Sequence, residues 1–363
     1  MQMKNIKNYI GIILAVLYAF FLIVFVKDVC AAILNSVKVC VEVMIPSLYA
    51  FMVISGFIVS SNIYAVLSKP FGLISRYVFR IPEEYFSVFL IGSVGGYPVG
   101  ARLLADMTSE GKISKEDAEH MLSYCYLAGP AFICGIAGVK LFSSVQVGMM
   151  IFAAAIGANI IMGILTGLGR KVPPKSRKKI DLDISLDCLI KSVYSGAKGM
   201  FSICAIIVFF SSIICIFEKL GAINYSAEIV SKVSGLSFSD SIAAVKAVIE
   251  ISNISGLTPN NYRLIPLAAA LLSFGGVCVL IQVSGFVGNK LSTKHFYFSR
   301  IIATIISYFL CKMLIVVFNA EAIYVIAPKG LAHRQNSLIP VLFLLIMTIL
   351  LLSNIFIEKN KEI

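Results

Sequence analysis

The sequence contains no tryptophan, and only 14% of its 363 residues are charged. A soluble domain of this size needs far more charge to cover its surface, which argues against a water-soluble enzyme or binding module. The few charges are also clustered. Residues 9–26, 43–68, 141–169, 199–217, 264–289 and 335–357 carry no Asp, Glu, Lys or Arg. The nine cysteines include no CxxC pair and no Cys/His ligand spacing, which excludes the usual signatures of a zinc site, a redox motif or a disulfide framework. Cys125, Cys134, Cys204, Cys215, Cys278 and Cys311 lie inside apolar runs and read as small packing residues. His120, His295 and His333 lie near the ends of such runs and form no metal set. A Walker loop, an HExxH element and a G-x-S-x-G element are all missing. The expectation is a non-enzyme with no cofactor and no bound metal.

What the sequence has is hydrophobicity: 59% of residues are apolar or aromatic and the mean hydropathy is +0.92. A spanning helix takes about 20 apolar residues, and each charge-free run supplies roughly that. Strands of a membrane barrel would alternate polar and apolar positions; these runs do not. Without tryptophan, an aromatic belt falls to Tyr and Phe. The first run follows Lys4 and Lys7, as a secretory signal would, but it is longer than a signal core. Residues 26–28 offer no small-residue cleavage site. It reads as a retained first helix. The net charge of +12 reads as basic cytoplasmic loops. The run 170–179 has no interleaved aromatics, which favours orientation and lipid headgroups over nucleic acid. Glu116, Asp117 and Glu119 follow Ser114 in a capping pattern and read as a solvated helix start.

Placing the basic groups inside orients the chain. These are the N-terminus, Lys69/Arg76/Arg80, Lys112/Lys115, the 170–179 run, and Lys290/Lys294/Arg300. The first helix then runs outward. Residues 30–43, mildly amphipathic, are expected at the outer surface, and a second span over 44–61 returns. The apolar piece 85–104 has basic residues on both sides, and residues 92–100 include four glycines and a proline. No regular helix survives that composition. A re-entrant hairpin turning at 95–98, with its second arm starting at Val99, satisfies both constraints. The next span, 120–142, is expected to break at Gly129-Pro130, and 147–169 returns to the basic loop. In the second half, 199–219 leads outward, 224–235 is a surface segment, and 241–256 ends in a polar tip from Glu250 to Gly256. A span over 264–282 is interrupted at Ser273 to Gly276. Spans over 301–318 and 338–357 follow.

The order of features repeats, and residues 124–141 can be laid beside 269–286 with Gly129-Pro130 near Gly275-Gly276. One unit begins outside and the other inside. The expected fold is an all-α polytopic membrane protein built as an inverted repeat with two re-entrant helical hairpins and two broken transmembrane helices. Its expected parts are an N-terminal helix plus interfacial helix (1–42), a first unit (43–170), a basic linker (171–190), a second unit (191–318) and a C-terminal helix (319–363). Paired interruptions of this kind point to a solute site near the membrane midplane.

The candidate site residues follow from the interruptions. Gly95, Gly96, Tyr97, Pro98 and Gly100 form the first tip, whose backbone amides and helix N-terminus would favour an anion. Close helix packing is the alternative for the glycines. Arg102 is a cation for a carboxylate, or a snorkelling residue. Gly129, Pro130, Ser273, Gly275, Gly276 and Gln282 surround the broken spans, with an interhelical hydrogen bond as the second reading of Gln282. Glu250, an acid in apolar company, is the candidate for coupling to a proton or a sodium ion; pairing with Lys246 is the structural alternative. Ser252, Asn253 and Ser255 are polar contacts or caps of the second tip. Asn159 is expected to bond across helices, and Lys312 to snorkel.

The elements Gly95-Gly96-Tyr97-Pro98-Val99-Gly100-Ala101, residues 128–135 (AGPAFICG), Glu250-Ile251-Ser252, and Ser273-Phe274-Gly275-Gly276 with Gln282 resemble the YlbJ/SpoVV family of sporulation integral membrane proteins. That family sits in the nucleoside-recognition (Gate) domain group, and the resemblance covers roughly residues 40–310. It implies a relative of concentrative nucleoside transporters. It also implies a secondary transporter of a small polar, anionic solute, dipicolinic acid during sporulation, in the bacterial cytoplasmic membrane or the outer forespore membrane. The alternatives are a nucleoside or other small-solute carrier and a non-transporting assembly or receptor protein. Membrane lipids, the solute, a coupling ion and a homo-oligomeric copy are the expected partners. The sequence departs from the pattern at Tyr126-Leu127, where asparagine-type residues are expected, and near Leu280, where a histidine is expected.

Overall fold

The computed structural model describes residues 2–175 and 180–318, with side chains from residue 9 onward. The expected span at 338–357, His333 and the end of the 170–179 run lie outside the described residues. The first half contains α1 (Gln2–Val24), α2 (Val26–Val39), α3 (Ile45–Ser60), α4 (Ile63–Ser68), α5 (Phe86–Gly95), α6 (Val99–Ser109), α7 (Lys115–Leu122), α8 (Pro130–Leu141) and α9 (Val145–Gly167). The second contains α10 (Leu186–Lys219), α11 (Ala222–Ser234), α12 (Phe238–Ile249), α13 (Ile265–Phe274), α14 (Gly276–Val287) and α15 (Lys294–Val317). There is no β-strand among the described residues. Five helical stretches are long and apolar enough to cross a membrane: Val26–Ser60, Val145–Gly167, Leu186–Lys219, Tyr262–Val287 and Lys294–Val317. The chain is a multi-pass α-helical membrane protein.

The expected surface segment over 30–43 is not a separate element. α2, a π-helical turn at Cys40–Met44 and α3 run on as one helix of 35 residues, about 50 Å long. Pro46 explains why the helix survives. It sits in the first turn of α3, just after the wide turn, where a missing N–H is absorbed instead of breaking the ladder. Because 50 Å exceeds a hydrocarbon core of about 30 Å, the polar part of α2 projects to the interface. There Lys38 pairs with Glu42, and Asp28 pairs with Lys219 at 2.7 Å. The 34-residue α10 packs antiparallel along both α2 and α3. Its other end is tied where Asn62 Nδ2 donates to the Asp181 carbonyl at 2.8 Å. α1 keeps much of its apolar surface exposed and joins the bundle through a Tyr18–Ser212 hydroxyl contact of 2.5 Å.

α5 and α6 pack against each other as the expected hairpin, with α6 starting at Val99. α7 stops at Leu122, so the broken span loses its helix seven residues before Gly129-Pro130. Ser114 caps α7 by accepting from the Asp117 N–H at 3.1 Å, as its sequence pattern predicts. In the second half, α12 descends to the Glu250 tip, but the return arm is a short 3-10 turn, Ile251–Gly256, and then irregular chain that turns at Pro259-Asn260. Gly256 and the following Thr258-Pro259 deny that arm a regular helix. Asp240 fastens it by accepting from the Thr258 N–H at 2.7 Å. The Asn260 N–H reaches the Leu141 carbonyl at 2.9 Å, placing the return beside the end of α8.

The basic loops gather on one face. Arg76 donates to the Pro173 carbonyl and pairs with Glu83, and Arg170 pairs with Glu116 and Asp117. Arg300, expected in this layer, is instead fully buried in the bundle.

Candidate functional site

The first tip and the first break are built against each other. α5 ends at Gly95, and Gly96 turns the chain with a φ of +79°. A side chain at Gly96 would come within 2.7 Å of the Gly129 nitrogen, and one at Gly100 within 2.3 Å of the Cys125 carbonyl oxygen. The extended strand 125–129 therefore lies directly on the tip, an approach that only glycine permits. The Tyr97–Pro98 peptide is cis. The contact of Gly96 with Gly129 brings the α6 and α8 N-termini, at Val99 and Pro130, close together.

Tyr126 and Arg300 hold the unwound strand. The Tyr126 carbonyl accepts from Asn159 Nδ2 at 2.7 Å and from Arg300 Nη1 at 3.1 Å. Arg300 also donates to Asn159 Oδ1 at 3.1 Å and to the Ser123 carbonyl. Its guanidinium lies 4.9 Å from the Tyr126 ring centre and 5.7 Å from that of Phe296. No carboxylate pairs with it among the described residues. Carbonyls freed by unwinding need donors inside a membrane, and a planar fork supplies several at once. The Tyr126 hydroxyl donates to the Phe274 carbonyl at 2.9 Å, where α13 ends. Gly275 then turns the chain with a φ of +81°, and any side chain there would strike the Tyr126 hydroxyl. One tyrosine thus joins the two helix breaks.

Glu250 closes the site from the other side. It ends α12 in extended conformation and is 5% exposed. Its carboxylate accepts from the Ser252 N–H at 3.1 Å, from the Ser252 hydroxyl and from Asn253 Nδ2 at 3.2 Å. The expected alternative pairing with Lys246 does not occur, because Lys246 turns to Glu218 at 2.5 Å. Glu250 has no cationic partner among the described residues. Gly276, at the start of α14, packs on the last carbonyls of α12.

Between these parts lies a cavity of about 40 Å³, lined by Tyr97, Ala128, Gly129, Phe132, Glu250 and Gln282, with Met44 and Val279. It has room for a few water molecules. The Tyr97 ring stacks on Tyr126 at 5.0 Å, and its hydroxyl is buried without a partner. Gln282 reaches only the Cys278 sulfur, at 3.5 Å, rather than a neighbouring helix. A second cavity of about 400 Å³ adjoins it and is lined in part by Ser252, Asn253 and Ser255. Met44 and Phe132 line both cavities.

Of the residues expected at the site, the structure gathers Tyr97, Gly129, Glu250 and Gln282 in one cavity and Ser252, Asn253 and Ser255 in its neighbour. Gly95, Gly96, Gly100, Pro130, Gly275 and Gly276 shape the backbone around them. Pro98 completes the turn. Arg102 is elsewhere: it is buried against α10, bonded to Ser195 and 3.6 Å from Asp106, and lines neither cavity. Ser273 is buried, with its hydroxyl unpaired and outside both cavities. Asn159 bonds across helices as expected, and Lys312 lies 5.1 Å from the Tyr308 ring centre. Sequence reasoning missed the roles of Tyr126 and Arg300. An arginine two turns into an apolar helix, as Arg300 is, was the available signal.

The chain is similar to the sporulation integral membrane protein YlbJ of Bacillus subtilis (strain 168), at 32% identity over 142 residues. The match covers 38% of this chain and 34% of the relative, so it spans about a third of that protein's length. No family model matches the chain, and no solved structure matches it. Together with the fold, the similarity describes a multi-pass membrane protein related in sequence to a sporulation protein.

Proposed function

We propose that the protein is a secondary transporter that carries a small anionic solute, dipicolinic acid, across a bacterial membrane during sporulation. The observation that carries this reading is the junction of two helix breaks and two hairpin tips around a buried carboxylate without a cationic partner among the described residues, Glu250. A buried acid without a cation in a membrane bundle is costly and is retained where it does work. Discontinuous helices supply the rest of a carrier site: the helix N-termini that begin at Val99, Pro130 and Gly276.

In this reading the two halves form an inverted repeat, and the state described is closed around the small cavity. Tyr97 and Gln282 offer a hydroxyl and an amide to the solute. Glu250 exchanges a proton or binds a sodium ion, and its charge state controls the Ser252–Asn253 turn that it now caps. Arg102, satisfied by Ser195 and Asp106, braces α6 against α10 and does not contact the solute.

Uptake of radiolabelled dipicolinate and uridine into proteoliposomes tests the proposal. Saturable dipicolinate flux that is lost or uncoupled from the ion gradient in Glu250→Gln is expected. Uridine flux alone would favour a nucleoside carrier. Absence of flux for both would leave a receptor or assembly role.

A further inference from the structure

The larger cavity lies on the face opposite the basic loops. Phe132, Ile136 and Lys140 of α8 form one wall, and Ser239 and Lys246 of α12 another. The Ser252–Ser255 turn closes its inner end. The charged groups around it are Lys140, Lys246, Glu218 and, behind the turn, Glu250. Lys246 is neutralised by Glu218 at 2.5 Å. Glu250 faces away from the cavity, into the Ser252 and Asn253 donors. Lys140 forms no ion pair among the described residues. The cavity therefore offers one free cation beside aromatic and aliphatic walls, and at about 400 Å³ it has room for a single-ring organic anion.

Met44 and Phe132 separate this space from the Glu250 cavity, since each lines both. Met44 is the last residue of the π turn Cys40–Met44, and Phe132 directly precedes the π-helical stretch Ile133–Leu141. Wide turns of this kind mark places where a helix changes register at functional sites. Both partition residues therefore sit at or beside such a turn.

We propose that this cavity is an antechamber for small aromatic carboxylates. In it Lys140 is the recognising cation, and the Met44–Phe132 pair is the partition that an anion passes to reach Glu250. The passage step rests on the transport reading; the binding step does not. An ammonium on a flexible stem binds a carboxylate as a point charge, so binding weakens with salt.

The test is equilibrium binding of radiolabelled dipicolinate and of phthalate to the purified full-length protein in detergent, alongside proteoliposome uptake. Lys140→Gln is expected to weaken binding of both about fivefold or more, with Lys140→Arg restoring most of it. High salt should mimic Lys140→Gln. Phe132→Ala should raise the initial uptake rate relative to the amount of dicarboxylate bound. Wild-type protein that binds neither dicarboxylate, or Lys140→Gln that binds both as wild type does, overturns the antechamber. Binding that depends on Lys140 without any flux would remove the transporter and keep the site. Flux with unchanged KM in Lys140→Gln would do the reverse.

Discussion

At the residue scale, Arg300 is the largest fully buried side chain in the described structure, and its partners are carbonyls and aromatic rings. Its value lies in satisfying oxygens that unwinding exposed. Arg300→Leu should lower stability by about 3 kcal/mol, and Arg300→Lys should recover only part, because an ammonium cannot span Ser123, Tyr126 and Asn159 together. Thermal unfolding in detergent reads both; an unchanged Tm for Arg300→Leu would show that the strand 123–129 is held by other means. Glycines give a paired comparison. Gly100→Ala places a carbon 2.3 Å from the Cys125 carbonyl oxygen, whereas Gly285→Ala meets nothing within 4 Å. The first should cost about 1–3 kcal/mol. The second should be neutral or stabilise α14 by up to about 1 kcal/mol.

At the element scale, the two breaks are one mechanical unit. Gly275→Ala is expected to strain a backbone held at a φ of +81° and to push Tyr126 off the Phe274 carbonyl. Through the Tyr97–Tyr126 stack that displacement reaches the small cavity. The expected outcome is loss of dipicolinate uptake together with a lowered Tm, and Tyr126→Phe should reproduce the uptake defect with the smaller stability loss of one missing hydrogen bond, about 1 kcal/mol. If Tyr126→Phe transports normally, the hydroxyl bridge between the breaks is dispensable. The tip of the second hairpin depends on acceptors in the same way. Glu250 caps the Ser252–Asn253 turn and Asp240 holds Thr258, so one carboxylate shapes the tip while the other anchors its return.

At the scale of the whole molecule, the long α2–α3 helix and α10 form one antiparallel pair, while α9, α13 and α15 pack together as a second group. The breaks and tips lie between these helices. α11, by contrast, buries only Ile223 and Ala227. Amide hydrogen exchange should accordingly be slowest in the centres of α3, α9, α10 and α15 and much faster in α11 and in the unwound strand 126–129. Protection of that strand equal to α9 would mean that the break is as rigid as the helices around it, which a moving site could not be.

The sequence alone determined that the chain spans a membrane as helices, because the length and lack of charge of an apolar run suffice to decide that. It also marked the first tip, the second break and the point where the helix resumes after the first break, since glycine and proline weaken a helix at Gly95 to Pro98, Gly129-Pro130 and Gly275-Gly276. Other features depended on neighbours. Residues 30–43 look interfacial by composition, yet they continue a helix because α10 packs along them and a π turn accommodates Pro46. Arg102 and Arg300 are the same residue type in similar apolar company. Only the tertiary structure decided which braces a hairpin and which holds an unwound strand, because carbonyl partners for a buried guanidinium come from helices far apart in sequence. The unpaired state of Glu250 was decided in the same way, by Glu218 of another helix taking Lys246, the lysine one turn before it.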